Sequence, residues 1–363
     1  MSYYFNNSST ISFQKMIRFE CDYAEGAHPK VLEALVKTNF EQTPGYGVDG
    51  HCAHAQELIQ EACEDPLANV YFVTGGTPAN VTVIASLLRP YQGCVCCKSG
   101  HINVHETGAV EATGHKVLGL ASDDGKITAD QIREAAMDHL NSDCAEHIVQ
   151  PKMVYISNPT ELGTIYSLEE LTAISKTCRE FGYYLFMDGA RLGYGLTAAD
   201  NDLTMADIAA LCDVFYIGGT KVGALFGEAV VISNPAINTD FRYMIKQHGG
   251  MLAKGRLLGV QFDALLSDGL YFDISRHANA LADRIRVTLA ELNLPLLVPG
   301  TTNQIFAILP DFMLDELSKE FAYNVEKRMD QTHRAVRFCT SWATNTENVD
   351  ILCQRLTELA NNL

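Results

Sequence analysis

One local pattern recurs along the chain: a short apolar run, rich in β-branched and aromatic residues, that stops abruptly on small or polar ones. Val70-Tyr71-Phe72-Val73-Thr74 stops on Gly75-Gly76, and Lys152-Met153-Val154-Tyr155-Ile156 stops on Ser157-Asn158-Pro159. Residues 183–187 stop on Asp188-Gly189-Ala190-Arg191, and Asp213-Val214-Phe215-Tyr216-Ile217 stops on Gly218-Gly219-Thr220-Lys221. Runs this short and this continuously apolar suit strands covered on both faces. Helical patterns lie between them. Ser167 with Glu170 forms a capping box that opens a helix ending at Gly182, and Thr128 with Gln131 opens another in the same way. Strand, helix, strand in this rhythm predicts the α/β class, with a mainly parallel sheet flanked by helices on both faces.

The later part changes character. Long helical stretches such as 275–292 take over after Gly249, with strand candidates at 303–309 and 335–340 and a closing helix over 348–363. The pattern predicts a large domain over 16–245, a smaller C-terminal α+β domain over 246–363, and a polar N-terminal arm over 1–15. No repeat or low-complexity segment interrupts it.

Charge narrows the function. With 27 basic and 44 acidic residues the net charge is −17, which disfavours a nucleic-acid or anionic-membrane surface. No apolar run is long enough to span a bilayer, and the first ten residues lack a signal-peptide pattern. A cytoplasmic protein is expected. The 11 cysteines are scattered, apart from Cys94-Val95-Cys96-Cys97. No second pair at zinc spacing accompanies that cluster, so strand-borne structural thiols are the preferred reading and no metal is expected.

Ligands of open parallel sheets bind beyond the carboxyl ends of the strands, which singles out the four run ends. Gly75-Gly76-Thr77, with Pro78 at a first helical position, presents backbone N–H groups to an anion; it is equally an ordinary strand–helix turn. Asp188 ends a buried run and needs a partner: Arg191, the next helix start, or the protonated ring nitrogen of a bound group. Lys221 sits beside Thr220 in apolar company, where desolvation favours the neutral amine that forms a Schiff base. His101, in Ser99-Gly100-His101-Ile102-Asn103, is either a hydrogen-bonded loop histidine or a group that covers a ring and moves protons. No Gly-x-Gly-x-x-Gly follows an early strand, so a dinucleotide site is not indicated.

Taken in chain order, the Gly-Thr turn, the histidine, Asp188-Gly189-Ala190-Arg191 and Thr220-Lys221 resemble the threonine aldolase and β-eliminating lyase family of fold-type I enzymes dependent on pyridoxal 5'-phosphate (PLP). The resemblance runs from about Phe19 to the final helix and includes Gly45-Tyr46-Gly47 and Ala335-Val336-Arg337-Phe338. It implies that Lys221 carries PLP, Asp188 pairs with the pyridine nitrogen, His101 stacks on the ring, and Gly75, Gly76, Thr77 and Thr220 help hold the cofactor. Arg191 and Arg337 match arginines that grip the substrate carboxylate, with Cys21, Tyr46 and Thr160 at substrate-facing positions. Two departures stand out. Thr160, in Ser157-Asn158-Pro159-Thr160, occupies the place of a family histidine, and Glu20-Cys21-Asp22 replaces Arg-Ser-Asp. With that histidine gone, the hydroxyl proton must pass to His101, to a water, or to a histidine from elsewhere, for which His51 and His54 are candidates that read equally as helix-start polar residues. The implied protein is a homodimeric or homotetrameric lyase of amino-acid metabolism, cleaving threonine or a related β-hydroxy amino acid to glycine and an aldehyde. β-Elimination or transamination on the same scaffold is the alternative, and a non-catalytic phosphate-binding module a more distant one.

Overall fold

All four apolar runs lie in one sheet. The computed structural model describes residues 16–361. Its strands, in chain order, are β1 (Ile17–Arg18), β2 (Asn69–Val73), β3 (Gln92–Cys97), β4 (Lys116–Leu120), β5 (Gln150–Ser157) and β6 (Tyr184–Asp188). β7 (Val214–Gly218), β8 (Glu228–Ile232), β9 (Gln304–Pro310), β10 (Phe321–Ala322), β11 (Asn324–Arg328) and β12 (His333–Cys339) follow. The large sheet has seven strands in the order β2-β8-β7-β6-β5-β3-β4. β4, β3, β5, β6 and β7 pair in parallel, while β8 runs antiparallel to both β7 and β2. The reversal has a simple cause. β7 and β8 are joined by the short loop 219–227 rather than by a crossover helix, and only an antiparallel pair can be closed that way. β2 therefore keeps the direction of the parallel set, and the carboxyl ends of β2, β3, β5, β6 and β7 share one edge.

The helices between the strands start and stop where the sequence dictates. Ser167 and Glu170 make reciprocal cap bonds at Leu168–Phe181, and Gly182 ends that helix at φ 64°. Thr128 with Gln131 does the same for Ala129–Leu140. The cysteine-rich segment is β3, buried along its whole length. Cys94 and Cys96 face one core and Val95 and Cys97 the other, as the two-residue strand period requires. Burial pushes the Cys96 thiol up to about 12. Among the described residues no group of three His, Cys, Asp or Glu side chains is disposed to hold a metal. No described helix is long and apolar enough to cross a membrane.

Three cores result. Two cover the faces of the large sheet. The third lies under the antiparallel sheet β11-β12-β9 and collects Phe19 from the start of the chain, which β1 brings in by pairing with β10. Helix Leu270–Glu291 ties two of them together: Leu270, Tyr271, Ile274 and Ala278 belong to the first, Leu281, Ala282, Ile285 and Leu289 to the third. Helix Arg256–Leu266 packs on Gly50–Ala62, and so closely that a Cβ at Gly259 would stand 2.6 Å from the backbone nitrogen of Cys52. The N-terminal arm over 1–15 lies outside the described residues.

Candidate active site

The shared strand edge opens into a cleft of about 690 Å³, walled on the far side by β11 and β12 of the smaller sheet. Thr74 to Thr77 reach it from the end of β2, His101 from beyond β3, Asp188 and Arg191 from β6, and Lys221 from beyond β7. Asn324, Val325, Glu326 and Arg337 close it from the opposite side.

Lys221 stands on the tight β7–β8 loop. The amides of Gly219 and Thr220 donate to the Gly227 carbonyl at 3.0 and 3.2 Å, and the Gly227 amide donates to Thr220 Oγ1 at 3.0 Å. Tyr194 donates its hydroxyl to the Lys221 carbonyl at 2.6 Å. These bonds hold the backbone and leave the amine to the cleft. Beneath the loop lies Glu228, buried at the first position of β8, accepting from the Gly219 amide at 2.8 Å and bonded to the Thr220 side chain. Burial pushes its carboxyl up to about 7, against those hydrogen bonds and the charge of Lys221.

Asp188 is the most elaborately held carboxylate. The Ala190 amide donates to Oδ1 at 2.9 Å, Asn80 Nδ2 donates to Oδ2 at 3.3 Å, and the Tyr155 and Tyr216 hydroxyls also bond it. The Gly189 that follows is obligatory, since a Cβ there would lie 1.9 Å from the Tyr216 carbonyl oxygen. That close approach brings the ends of β6 and β7, and with them Asp188 and the lysine loop, against each other. A buried carboxylate held by this many donors is fixed in place to face a cationic ring nitrogen.

Asn80 links this acid to a histidine. It also donates to Glu106 Oε1 at 2.7 Å, and the same oxygen is 2.7 Å from His101 Nδ1. Burial pulls His101 towards neutrality, but the Glu106 bond and the carboxylates of Glu161 and Asp188 leave its pKa above the ordinary value. Helix Gly76–Leu87 begins at the cleft with no side chain capping it. Its first amides are therefore free to bind a phosphate.

The two arginines differ. Arg191 is buried and paired along one edge with Asp22, Nε to Oδ2 at 2.7 Å and Nη2 to Oδ1 at 3.1 Å, and Asn303 Nδ2 donates to Oδ2 at 2.9 Å. Arg337 is loosely engaged: 3.4 Å to Gln304 Oε1, 3.4 Å to the Glu20 carbonyl and 3.5 Å to Glu326. Arg337 is thus the less engaged of the two guanidinium groups, and Arg191 keeps one edge unpaired with Asp22.

Five positions singled out in the sequence do not border the cleft within this chain. Thr160 turns inward, 2.7 Å from the Thr164 hydroxyl, and the side chain that faces the cleft is that of the next residue, Glu161. Cys21 does not reach the cleft, whereas Tyr23, two residues further on, does. Tyr46 lies in a separate hollow with its ring 5.0 Å from Lys246 Nζ. His51 is 2.7 Å from Glu41, and His54 is 3.0 Å from Asp263, both on helix Gly50–Ala62. The thiol, the phenol and the two imidazoles are therefore placed elsewhere, and Thr160 is saturated by its own turn. Conversely, sequence reading overlooks Asp22, Asn80, Glu106, Tyr155, Glu161 and Glu228. Glu161 lies four residues past the end of β5 and Glu228 opens β8 rather than ending a run, so neither is marked by the strand-end pattern, and Asp22 meets Arg191 from 169 positions away.

Chemically, the cleft combines an amine, a buried carboxylate for a ring nitrogen, a phosphate-ready helix start and a cationic carboxylate clamp, which is the donor set PLP and an amino acid require. Comparison with known proteins agrees. Residues 21–312 match the family model described as beta-eliminating lyase. A low specificity L-threonine aldolase from Pseudomonas sp. is 33% identical, over 83% of this chain and 86% of that protein. One from Pseudomonas aeruginosa is 30% identical, over 92% and 94%. The structure of Leishmania major threonine aldolase superposes with a TM-score of 0.92 at 44% identity, covering 95% of this chain and 99% of that one. Thermus thermophilus aspartate aminotransferase shares the fold alone, at TM-score 0.70 and 15% identity. By sequence match, by fold and by the residues gathered at its strand ends, the chain belongs to the beta-eliminating lyase family.

Proposed function

We propose that this protein is a PLP-dependent carbon–carbon lyase that cleaves a β-hydroxy amino acid, threonine or a close relative, to glycine and an aldehyde. One observation carries the reading: Lys221, Asp188 and the uncapped start of helix Gly76–Leu87 converge on one cleft from three strand ends. The likeness to L-threonine aldolases along nearly the whole chain selects the reaction.

When bound, the cofactor supplies an electron sink for the pair left on the substrate's α-carbon. Everything else falls to the chain. Lys221 would hold the cofactor by its amine. Asp188 keeps a proton on the ring nitrogen, and its four donors hold the carboxylate in place for that task. Gly76, Thr77 and the amides beside them hold the phosphate. His101, fixed by Glu106, borders the ring's place. Arg337, with the free edge of Arg191, fixes the substrate carboxylate, and so selects which α-bond breaks.

Three finer readings accompany this. Cytoplasmic residence is supported by eleven cysteines that are all unpaired. Homo-oligomeric assembly is supported by exposed Leu32, Val36, Phe40, Tyr46 and Val48 along one early stretch. The division between large and small domains, expected at 245/246, is read as falling further on, within helix Leu270–Glu291, because Phe262 and Leu265 of Arg256–Leu266 belong to the first core. The test of the reaction is product analysis with PLP and threonine. Acetaldehyde and glycine in equal amounts are expected. 2-Oxobutanoate with ammonia, or conversion of the cofactor to its pyridoxamine form, would overturn the lyase reading.

A further inference from the structure

Breaking Cα–Cβ in a β-hydroxy amino acid needs a group that takes the hydroxyl proton. Most acids and bases bordering the cleft are already committed. Asp188 accepts from Ala190, Asn80, Tyr155 and Tyr216. Glu228 is bonded to Gly219 and Thr220 beneath the lysine loop. Glu326 faces Arg337 at 3.5 Å. His101 spends Nδ1 on Glu106, and the surrounding carboxylates favour its protonated form. Glu161 differs. It borders the cleft, and among the described residues no side chain or amide donates to its carboxylate and no cation forms a salt bridge with it. Glu161 lines the same cleft as His101 and Arg191, and its charge raises the pKa of both.

We infer that Glu161 is the catalytic residue that accepts the proton of the substrate's β-hydroxyl. The inference rests on the lyase reading above. The O–H proton passes to Glu161, the O–H electron pair becomes the second bond of the aldehyde carbonyl, and Cα–Cβ breaks with its pair left on Cα. Cα is then protonated and glycine leaves, while Glu161 returns its proton to solvent. No further reactant is needed. The turn at Thr160 explains the geometry: the Leu162 and Thr164 amides both donate to Thr160 Oγ1 at 3.3 Å, which keeps Thr160 inside and puts Glu161 outside.

Two reactions of the PLP-loaded enzyme separate this role from a structural one. Threonine cleavage requires the hydroxyl proton to move, whereas exchange of glycine's α-proton in D2O does not. Glu161→Gln keeps the shape and removes the charge. Its cleavage rate is expected to fall on the order of 100-fold or more, with glycine exchange, the glycine dissociation constant and the cofactor's absorption spectrum unchanged. Glu161→Asp retains a carboxylate and is expected to recover part of the loss. If exchange and cleavage fall together, or if neither falls, Glu161 does not take that proton. His105 also borders the cleft, its ring 5.6 Å from that of His101. A selective loss of cleavage in His105→Asn, with Glu161→Gln unaffected, would transfer the role to His105 and overturn the inference. If the unmodified enzyme exchanges glycine's proton but cleaves no β-hydroxy amino acid, the lyase reading itself is what fails.

Discussion

Replacing Asp22 by Asn removes the charge that compensates a guanidinium buried under the cleft. Asp22 is fully enclosed and the Arg191 side chain is 8% exposed, so water cannot take over the lost interaction. Breaking a buried ion pair from one side costs about 3–5 kcal/mol, because the remaining charge stays desolvated. An asparagine oxygen can still accept one of the two arginine bonds, so the lower end, about 3 kcal/mol, is expected. The pH dependence carries a sign. Burial opposes ionisation of Asp22, but the charges of Arg191 and Lys221, with hydrogen bonds from Arg191 and Asn303, hold its carboxyl below the ordinary value. A depressed folded pKa means that the contribution is complete above the unfolded value of about 3.9 and is lost as pH falls through the lower, folded value. Urea unfolding at saturating PLP should therefore separate parent and Asp22→Asn by a constant amount in neutral and weakly acidic buffer, with convergence only in strong acid. A difference below about 0.5 kcal/mol at neutral pH, the size of an ordinary surface substitution, would refute the buried-pair argument. So would a difference already gone at weakly acidic pH.

Three further outcomes follow from the same geometry. Arg337→Leu should raise the KM for threonine by about 30-fold or more, the equivalent of about 2 kcal/mol for a charge-assisted clamp, while PLP stays bound; loss of PLP with unchanged substrate affinity would be the contrary result. Glu106→Gln removes the bond that raises His101, so the imidazole should lose its proton at lower pH than in the parent, read by NMR of labelled histidine. Gly189→Ala forces a Cβ to within 1.9 Å of the Tyr216 carbonyl oxygen; separating β6 from β7 should weaken PLP binding in a spectroscopic titration, and unchanged binding would show that the two strand ends are not locked together.

Much of this is legible in the sequence because buried parallel strands advertise themselves as continuous apolar runs, and their ends are where the chemistry sits. Val214–Gly218 is such a run, and Lys221 can be placed from it alone. A capping box is equally local, and Ser167 with Glu170 starts the helix it announces. What escapes is the direction of side chains in irregular turns. Thr160 and Glu161 are adjacent, yet one bonds its own turn and the other faces the cleft, and no period tells them apart. β8 also escapes as a reversed strand, because its run is as apolar as its parallel neighbours and only the brevity of the loop before it sets the direction. Long-range pairing is hidden for a different reason: Asp22 lies just past β1, which pairs with β10, and it meets Arg191 across 169 positions of sequence. β11 carries Glu326 and faces the cleft, but its mostly exposed, charged sequence Asn-Val-Glu-Lys-Arg reads as a solvated segment rather than a wall of a site.

Lys221 is expected to hold the cofactor through its amine. Reduction of the PLP-loaded protein with borohydride, followed by proteolysis and mass spectrometry, tests it directly. A pyridoxyl phosphate adduct is expected on the peptide containing Lys221, and in Lys221→Ala a folded protein with no adduct. An adduct on another lysine, or a borohydride-sensitive absorption band that survives in Lys221→Ala, would contradict it.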